Sequence, residues 1–469
     1  MGGHSMKHVL ARRNRALNGA AVLGIGMFLW HPSARAQAAV QAQAADTPYV
    51  ITLDEAIKRA QANQPAYATA RADSQLAALD RSIARAGLLP SARLLSQSIY
   101  TQPNGTFADN GEGIPNRPNP RFVSNDSRPR EYIDQGIAEE TLSVAGLAAV
   151  RRADATAAMA RAELEIARRG LVATVTGLFY GSLSADHKAA IAGRAYQQAK
   201  DFTTITQDRE KQGEAAHADV IKAQLTEQEQ WRLLQDATLA AQTARLYLGV
   251  LLFADPRTPF TLQAPQAPPP LPLMADVEAA AGRYNPELKS ALASIAAAEA
   301  DVLGARAALI PTLGLYVIYG IDANEFAVNG PLTPAGIKAR NLGYSTSFTV
   351  NLPVWDWLST EHKVKQSEIR RNVARVTLTN TQRQLIADLQ TYYSAAETAR
   401  KELESLDTSV ATAAESLRLS ELRYKAGEAL AIEVVGAQND YVTAQNARED
   451  GYVRYQNALA ALQTLTGTM

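Results

Sequence analysis

The 469-residue chain contains no cysteine, only six histidines, and no excess of charge: its 47 basic side chains match its 47 acidic ones. Without cysteine there is no disulfide framework and no thiolate metal site. Nor is there a thiol to carry a lipoprotein anchor. A neutral balance gives no reason to expect nucleic acid or another strongly charged partner. Beyond residue 36 no apolar run reaches the roughly 18 residues of a membrane-spanning helix. Any membrane location would therefore require a β-barrel. His187, His217 and His362 are scattered along the chain, with no partner at metal-ligand spacing. No Walker-type loop, nucleophile elbow or Cys-x-x-Cys is present. The expectation is a non-enzymatic protein without cofactor or metal, whose energy comes from a partner.

What is present begins with a targeting segment. Lys7, Arg12, Arg13 and Arg15 precede a short apolar run, Ala20 to Trp30, and a small-x-small site, Ala34-Arg35-Ala36. This reads as a signal peptide over residues 1–36, cleaved after Ala36. Arg12-Arg13 raises a twin-arginine reading, but the apolar residues expected to follow closely do not. An uncleaved anchor helix is the other alternative.

The remaining chain is a duplication. Ala60 to Tyr100 and Ala281 to Ile321 align without a gap, matching Pro65 to Pro286, Arg85 to Arg306 and Pro90 to Pro311. Lys211-Gln212-Gly213-Glu214 matches Lys425-Ala426-Gly427-Glu428, with Asp219 opposite Glu433 and Gln224 opposite Gln438. The expected domains are a first repeat over 37–254, a Pro-rich extended strap over 255–275, and a second repeat over 276–469.

Each repeat reads helix, strand, strand, long helix, turn, long helix. Thr52 and Glu55 form a capping-box signature, and Pro65 ends the first helix. In the second repeat Leu342, Tyr344, Thr346, Phe348, Val350 and Leu352 alternate with Gly343, Ser345, Ser347, Thr349 and Asn351. That is the pattern of a tilted barrel strand with an apolar outer face. The strands are placed at about 312–321 and 342–353. In the first repeat they fall at about 91–100 and 131–142, where the pattern is weaker: Leu95 and Ile99 lie on one face of the first strand, the second carries Glu131, Gln135 and Glu139, and the repeat decides the assignment. Long loops, Thr101 to Pro129 and Ile321 to Asn341, join the strands of each pair and mark the external side. Val144 to Gln212 has no proline, and Leu164, Leu171 and Leu178 recur every seven residues amid alanine. Such spacing suits close coiled-coil packing. Thr360 to Lys425 is its counterpart.

Four strands cannot close a barrel, and an open sheet edge in lipid leaves backbone groups unsatisfied. Symmetry supplies the rest: three chains give twelve strands. The long, polar helices form a second, aqueous barrel below the first.

The chain resembles the TolC-like outer-membrane efflux proteins over nearly its whole mature length. The resemblance is carried by Ile51-Thr52-Leu53-Asp54-Glu55-Ala56, by Leu88-Leu89-Pro90 and Leu309-Ile310-Pro311, and by Leu352-Pro353-Val354-Trp355-Asp356. It is strongest at Arg423-Tyr424-Lys425-Ala426-Gly427, followed by Val434, Ala437-Gln438 and Ala444-Gln445. It implies a homotrimer with a twelve-stranded β-barrel in the outer-membrane lipid and a periplasmic α-helical barrel. It also implies a periplasmic adaptor and an inner-membrane transporter as partners. The turns at Gly213 and Gly427, with Lys211 and Lys425, become adaptor-docking tips; the plainer reading of both glycines is a helix C-cap. Glu433, Asp219 and Tyr424 fall at the periplasmic gate, where Glu433 in three copies would form an acidic ring favouring cations. A solvated helix face is the alternative for Glu433, and a first-turn acid favoured by the helix dipole for Asp219. The usual second acid is replaced by Gly436, and the usual basic partner of the gate by Ala429. Trp355 and Trp357 become membrane-interface aromatics, or plain packing at the barrel junction. Where relatives often continue with glycine, this chain has Trp357-Leu358-Ser359. A small-molecule efflux duct is the leading reading, with a duct for one-step protein secretion second. A periplasmic helical adaptor or structural coiled coil is the alternative from another class.

Overall fold

The computed structural model describes residues 49–100, 130–263, 269–332 and 334–467. The signal segment, the loop 101–129 and part of the strap lie outside the described residues.

The chain runs β1 (Tyr49–Ile51), α1 (Leu53–Asn63), α2 (Pro65–Ala86), β2 (Ser91–Tyr100), β3 (Arg130–Leu142), α3 (Val144–Lys211) and α4 (His217–Leu252). The second half runs β4 (Phe260–Leu262), α5 (Met274–Tyr284), α6 (Pro286–Ala307), β5 (Thr312–Ala323), β6 (Asn329–Leu332), β7 (Lys338–Arg340), β8 (Leu342–Asn351), α7 (Ser359–Lys425) and α8 (Ala431–Thr466). The duplication holds down to the element bounds. α1, α2 and the start of β2 recur at one constant offset as α5, α6 and the start of β5. α4 recurs as α8, first and last residues both matching, at the offset that also carries Lys211 onto Lys425.

Local chemistry sets the breaks. Pro65 and Pro286 each occupy the first position of a helix, where a missing N–H loses nothing. Thr52 caps α1 by accepting the Glu55 N–H at 3.3 Å. The reciprocal half of the expected capping box is not made. The Glu55 carboxylate turns instead to Arg59 at 2.7 Å, an i,i+4 pair that competes for it. β8 ends at Asn351, two residues short of its expected end, because Pro353 cannot donate to the ladder. β5 runs on to Ala323, where it still pairs with Tyr132 of β3.

The four-stranded sheet has the order β2-β3-β5-β8, every neighbour antiparallel. Register places Leu313, Leu315, Val317 and Tyr319 on one face with Val350, Phe348, Thr346 and Tyr344. The same face carries Leu94 and Leu142. It is open: Leu94 is 77 % exposed, whereas Ile137 on the opposite face is 2 % exposed. In the first repeat Leu95 and Ile99 share one face of β2. Leu95 pairs with Gln135, Ile99 with Glu131 and Ser91 with Glu139, so these apolar and polar residues share one face. That face continues into Gly343, Ser345 and Ser347 of β8. β6 and β7 add a small hairpin within the β5–β8 loop that the sequence did not announce.

The helical part has cores that repeat with the chain. α1 packs into α3 and α4 around Ile51, Leu171, Val175, Phe179, Leu248 and Leu252. α5 packs into α7 and α8 around Val277, Ala281, Leu389, Leu462 and Leu465. β1 pairs in parallel with β4, tying the start of the first repeat to the strap. α3 has 68 residues and would extend about 100 Å at 1.5 Å per residue. Next to the sheet the helices lie in the order α2, α3, α6, α7; beyond α1 and α5 the order is α4, α3, α8, α7.

Candidate functional site

Two places on this frame carry the residues singled out by sequence: the turns at the far ends of the long helices, and the junction where β8 enters α7.

Both turns are built alike. Gly213 has φ of +77° and Gly427 of +79°, the left-handed region that favours glycine. The Glu214 N–H returns to the Arg209 carbonyl at 2.8 Å, and the Glu428 N–H to the Arg423 carbonyl at 2.8 Å. These six-residue closures satisfy carbonyls left open at a helix end. Lys211 pairs with Asp208 at 2.8 Å, and Lys425 is exposed.

Around the turns the gate candidates part company. Tyr424 is buried among Phe202, Ala223, Ala431, Val434 and Val435, so side chains of α3, α4 and α8 enclose the end of α7. Its ring lies 5.0 Å from that of Phe202, and its hydroxyl donates to Thr206 at 3.2 Å. Arg209 stacks on the same ring at 4.9 Å and donates to the Tyr424 carbonyl. A guanidinium there meets the partial negative charge of a helix C-terminus. Arg209, Phe202 and Thr206 were missed in the sequence. A usable signal existed, because Arg209 and Arg423 each stand four residues before a turn glycine. Glu433 is exposed in the first turn of α8. It accepts the Leu430 N–H at 3.4 Å and pairs with Arg423 at 3.2 Å. Asp219 is half-buried in the first turn of α4, where the helix dipole favours an acid.

At the junction of β8 with α7, Trp355 and Trp357 are 71 % and 83 % exposed and stack edge to face at 5.6 Å. Trp357 and Leu358 both have positive φ, 56° and 64°. This is the conformation that glycine would adopt without strain, costing other residues about 1–2 kcal/mol each. Asp356 offsets part of that cost by accepting the Thr360 N–H at 2.8 Å. No helix among the described residues is long and apolar enough to cross a membrane. The exposed apolar band is instead on the sheet.

Comparison with known proteins agrees with this geometry. Residues 280–468 match the family model for outer membrane efflux proteins. The fold is that of one protomer of the trimeric outer-membrane channels. It superposes on the CmeC outer membrane channel of Campylobacter jejuni with a TM-score of 0.72 and 16 % identity, covering 88 % of this chain and 85 % of that one. VceC of Vibrio cholerae gives 0.71 and 16 %, covering 88 % and 96 %. Residues 280–468 thus match the outer membrane efflux protein family, and the chain has the fold of the TolC-like outer-membrane channels.

In that fold the sheet corresponds to the outer-membrane part, and the helices to the periplasmic part, of those channels. Protein CyaE of Bordetella pertussis is 27 % identical over 284 residues, 58 % of this chain and 57 % of that protein. The match therefore spans little more than half the length of that relative.

Proposed function

We propose that the protein is the passive outer-membrane duct of a tripartite small-molecule efflux system, working as a homotrimer. The observation that carries this reading is the pair of complementary open edges. β2 and β8 are the outer strands of the sheet. Unpaired edges cost several kcal/mol per backbone group in lipid, so closure by copies of the same chain is strongly favoured. The helical wall has matching edges. Leu76, Leu79 and Ile83 form an exposed stripe on α2, and Ile369, Val373 and Val376 form another on α7. Both stripes follow helical spacing. Placing α2 of one copy against α7 of the next buries both, and three copies give twelve strands and a continuous wall. In this arrangement the turns at Gly213 and Gly427, with Lys211 and Lys425, face a periplasmic adaptor, and an inner-membrane transporter supplies the energy. Trp355 and Trp357 sit at the inner boundary of the lipid. Glu433, Asp219 and Tyr424 lie at the narrow periplasmic mouth.

The test has two parts. Purified protein should show the mass of three chains in native mass spectrometry. A strain lacking it should lose tolerance to small toxic compounds while its secreted proteins still leave the cell. A monomer would refute the assembly. Loss of one secreted protein with normal tolerance would make it a protein-secretion duct instead.

A further inference from the structure

The open face of the sheet, which carries Leu94, Leu313 and Phe348, has two ends. One end meets α7 at Trp355 and Trp357. β3 has 13 residues, which extend about 40 Å along the strand. At the tilt of a membrane barrel this is about 30 Å across the bilayer, the thickness of its hydrocarbon. With the tryptophans at the inner boundary of the lipid, the Arg130 end of β3 therefore reaches the outer boundary. This placement rests on the closed barrel proposed above.

At that outer end the open face becomes covered. Tyr319 is 60 % exposed, whereas Ile321 and Ala323, the next residues on the same face of β5, are each 9 % exposed. Register puts Tyr132 beside Ala323, with Arg130 next along the same face of β3. The chain leaving β5 turns back onto this side, where the Phe326 ring meets that of Tyr132 edge to face at 6.2 Å. Asn341 then fixes the base of the β6–β7 hairpin. Its side chain donates to the Ala327 carbonyl and its backbone N–H to the Val328 carbonyl, both at 3.0 Å. The hairpin is thus rooted on the lipid side of the rim.

Its composition suits a boundary between acyl chains and charged headgroups. Phe326, Val328, Leu332 and Ile337 are each more than half exposed. Such side chains gain from contact with hydrocarbon rather than water. From Phe326 to Arg340 the segment carries two cations, Lys338 and Arg340, and no acid. Lys338 pairs with Leu332, and Arg340 extends from the same face of β7. Neither cation has an acidic partner among the described residues. A long basic side chain beside an apolar one can keep its stem in the acyl region and its charge at the headgroups. Arg130 is exposed at the same level.

We propose that the β6–β7 hairpin and the outer end of β3 form a seat for an anionic lipid of the outer leaflet. Arg130, Lys338 and Arg340 bind its phosphates, while Phe326 and Leu332 lie among its acyl chains. Two guanidinium groups and an ammonium exceed the charge of a single phosphodiester, so the fitting ligand is a glycolipid with more than one phosphate. Guanidinium groups suit it further, because their paired N–H donors match phosphate oxygens. In a chain of zero net charge this excess is local to the outer rim.

The experiment uses the purified full-length protein titrated with diphosphoryl lipid A, with bound lipid counted by native mass spectrometry. Arg130→Gln, Lys338→Gln and Arg340→Gln combined should lower the affinity roughly hundredfold, at about fivefold for each cation removed. Lipid A stripped of its phosphates should bind wild type as weakly as the intact lipid binds the triple variant. The cysteine-free sequence allows a second readout: Leu332→Cys accepts a nitroxide label at a single place. In vesicles of phosphatidylcholine and lipid A that label should be open to oxygen and closed to a water-soluble nickel chelate. Equal affinity of variant and wild type, or binding that ignores the phosphates, would overturn the phosphate seat. A label freely open to the chelate would overturn the seating of the hairpin in lipid. Each of these results leaves the barrel standing if the native mass is that of three chains; a monomeric mass would instead overturn the barrel, and the placement of the seat with it.

Discussion

Arg169 is the buried charge on which the two repeats meet, and its removal gives the most quantitative expectation. The side chain is 5 % exposed on α3. It donates to the Thr464 carbonyl at 2.9 Å, to the Tyr284 carbonyl at 3.0 Å, and to Glu165 at 2.7 Å. Thr464 and Tyr284 lie in the last turns of α8 and α5, where carbonyls have no intrahelical donor. Arg169→Ala leaves both without that partner. Each hydrogen bond to a charged donor is worth about 1.5–3 kcal/mol. Glu165 keeps both its bonds to Arg168, at 2.8 Å each, so the ion pair is only partly lost. The sum is a destabilisation of about 3–6 kcal/mol. For a chain of this size, about 1–2 °C per kcal/mol is a fair extension of the smaller-domain scale, giving roughly 5 °C. The assay is thermal unfolding in detergent by far-ultraviolet circular dichroism, at fixed protein concentration because assembly contributes to the midpoint. Arg169→Lys, with its shorter reach, should fall between the two. An unchanged midpoint for Arg169→Ala would refute the clamp.

Gly320→Val should abolish trimer yield while leaving periplasmic helix content in the detergent-solubilised chain. A Cβ at Gly320 would lie 2.6 Å from the Gln135 Cα and closer still to the Asp134 carbonyl oxygen, forcing β5 off β3. Normal membrane assembly would contradict that register. Glu433→Gln should reduce cation preference, read as a shift of reversal potential in a salt gradient; an unshifted potential removes this carboxylate from the mouth.

The sequence made some of this fold legible and concealed the rest for physical reasons. Prolines at 65, 90, 286 and 311 punctuate the repeats because their chemistry is local. β8 declared itself through strict alternation with period two, whereas β5 also carries Tyr316 and Ile318 on its other face. The first-repeat strands mix both classes on both faces, and a one-residue slip exchanges the faces. Only the register between β2 and β3 shows that Leu95 and Ile99 lie beside Gln135 and Glu131. The turn glycines were plain, since positive φ demands them. The Arg209–Tyr424 contact was not, because its partners lie 215 residues apart. Glu433 drew notice for its place after the turn, and its bonds to Leu430 and Arg423 give it a capping role.

The internal seam carries a titratable link whose pH dependence follows from its partners. His187 on α3 bonds Glu449 on α8, and that hydrogen bond raises the imidazole pKa above its ordinary value against the effect of burial. Asp186 also favours the charged ring, and Arg448 opposes it. Glu449 is held below its usual range by His187 and Arg448, although burial pushes the other way. A histidine whose folded pKa is raised contributes its stability below the unfolded value, and loses it as pH rises through the folded value. A glutamate whose folded pKa is lowered contributes above its unfolded value and loses that as pH falls. The link is therefore strongest between the depressed glutamate pKa and the elevated histidine pKa, in mildly acidic solution. Lys188–Asp450, Arg448–Asp407 and Arg245–Asp186 surround it. His187→Gln should remove the loss of α3–α8 protection that wild type shows on passing from mildly acidic to mildly alkaline pH. Hydrogen exchange of the amides around Glu449 reads this directly, after correction for the intrinsic pH dependence of exchange. A wild-type protection profile flat over that interval would show that the imidazole stays neutral in the seam, leaving Lys188–Asp450 as its charged tie.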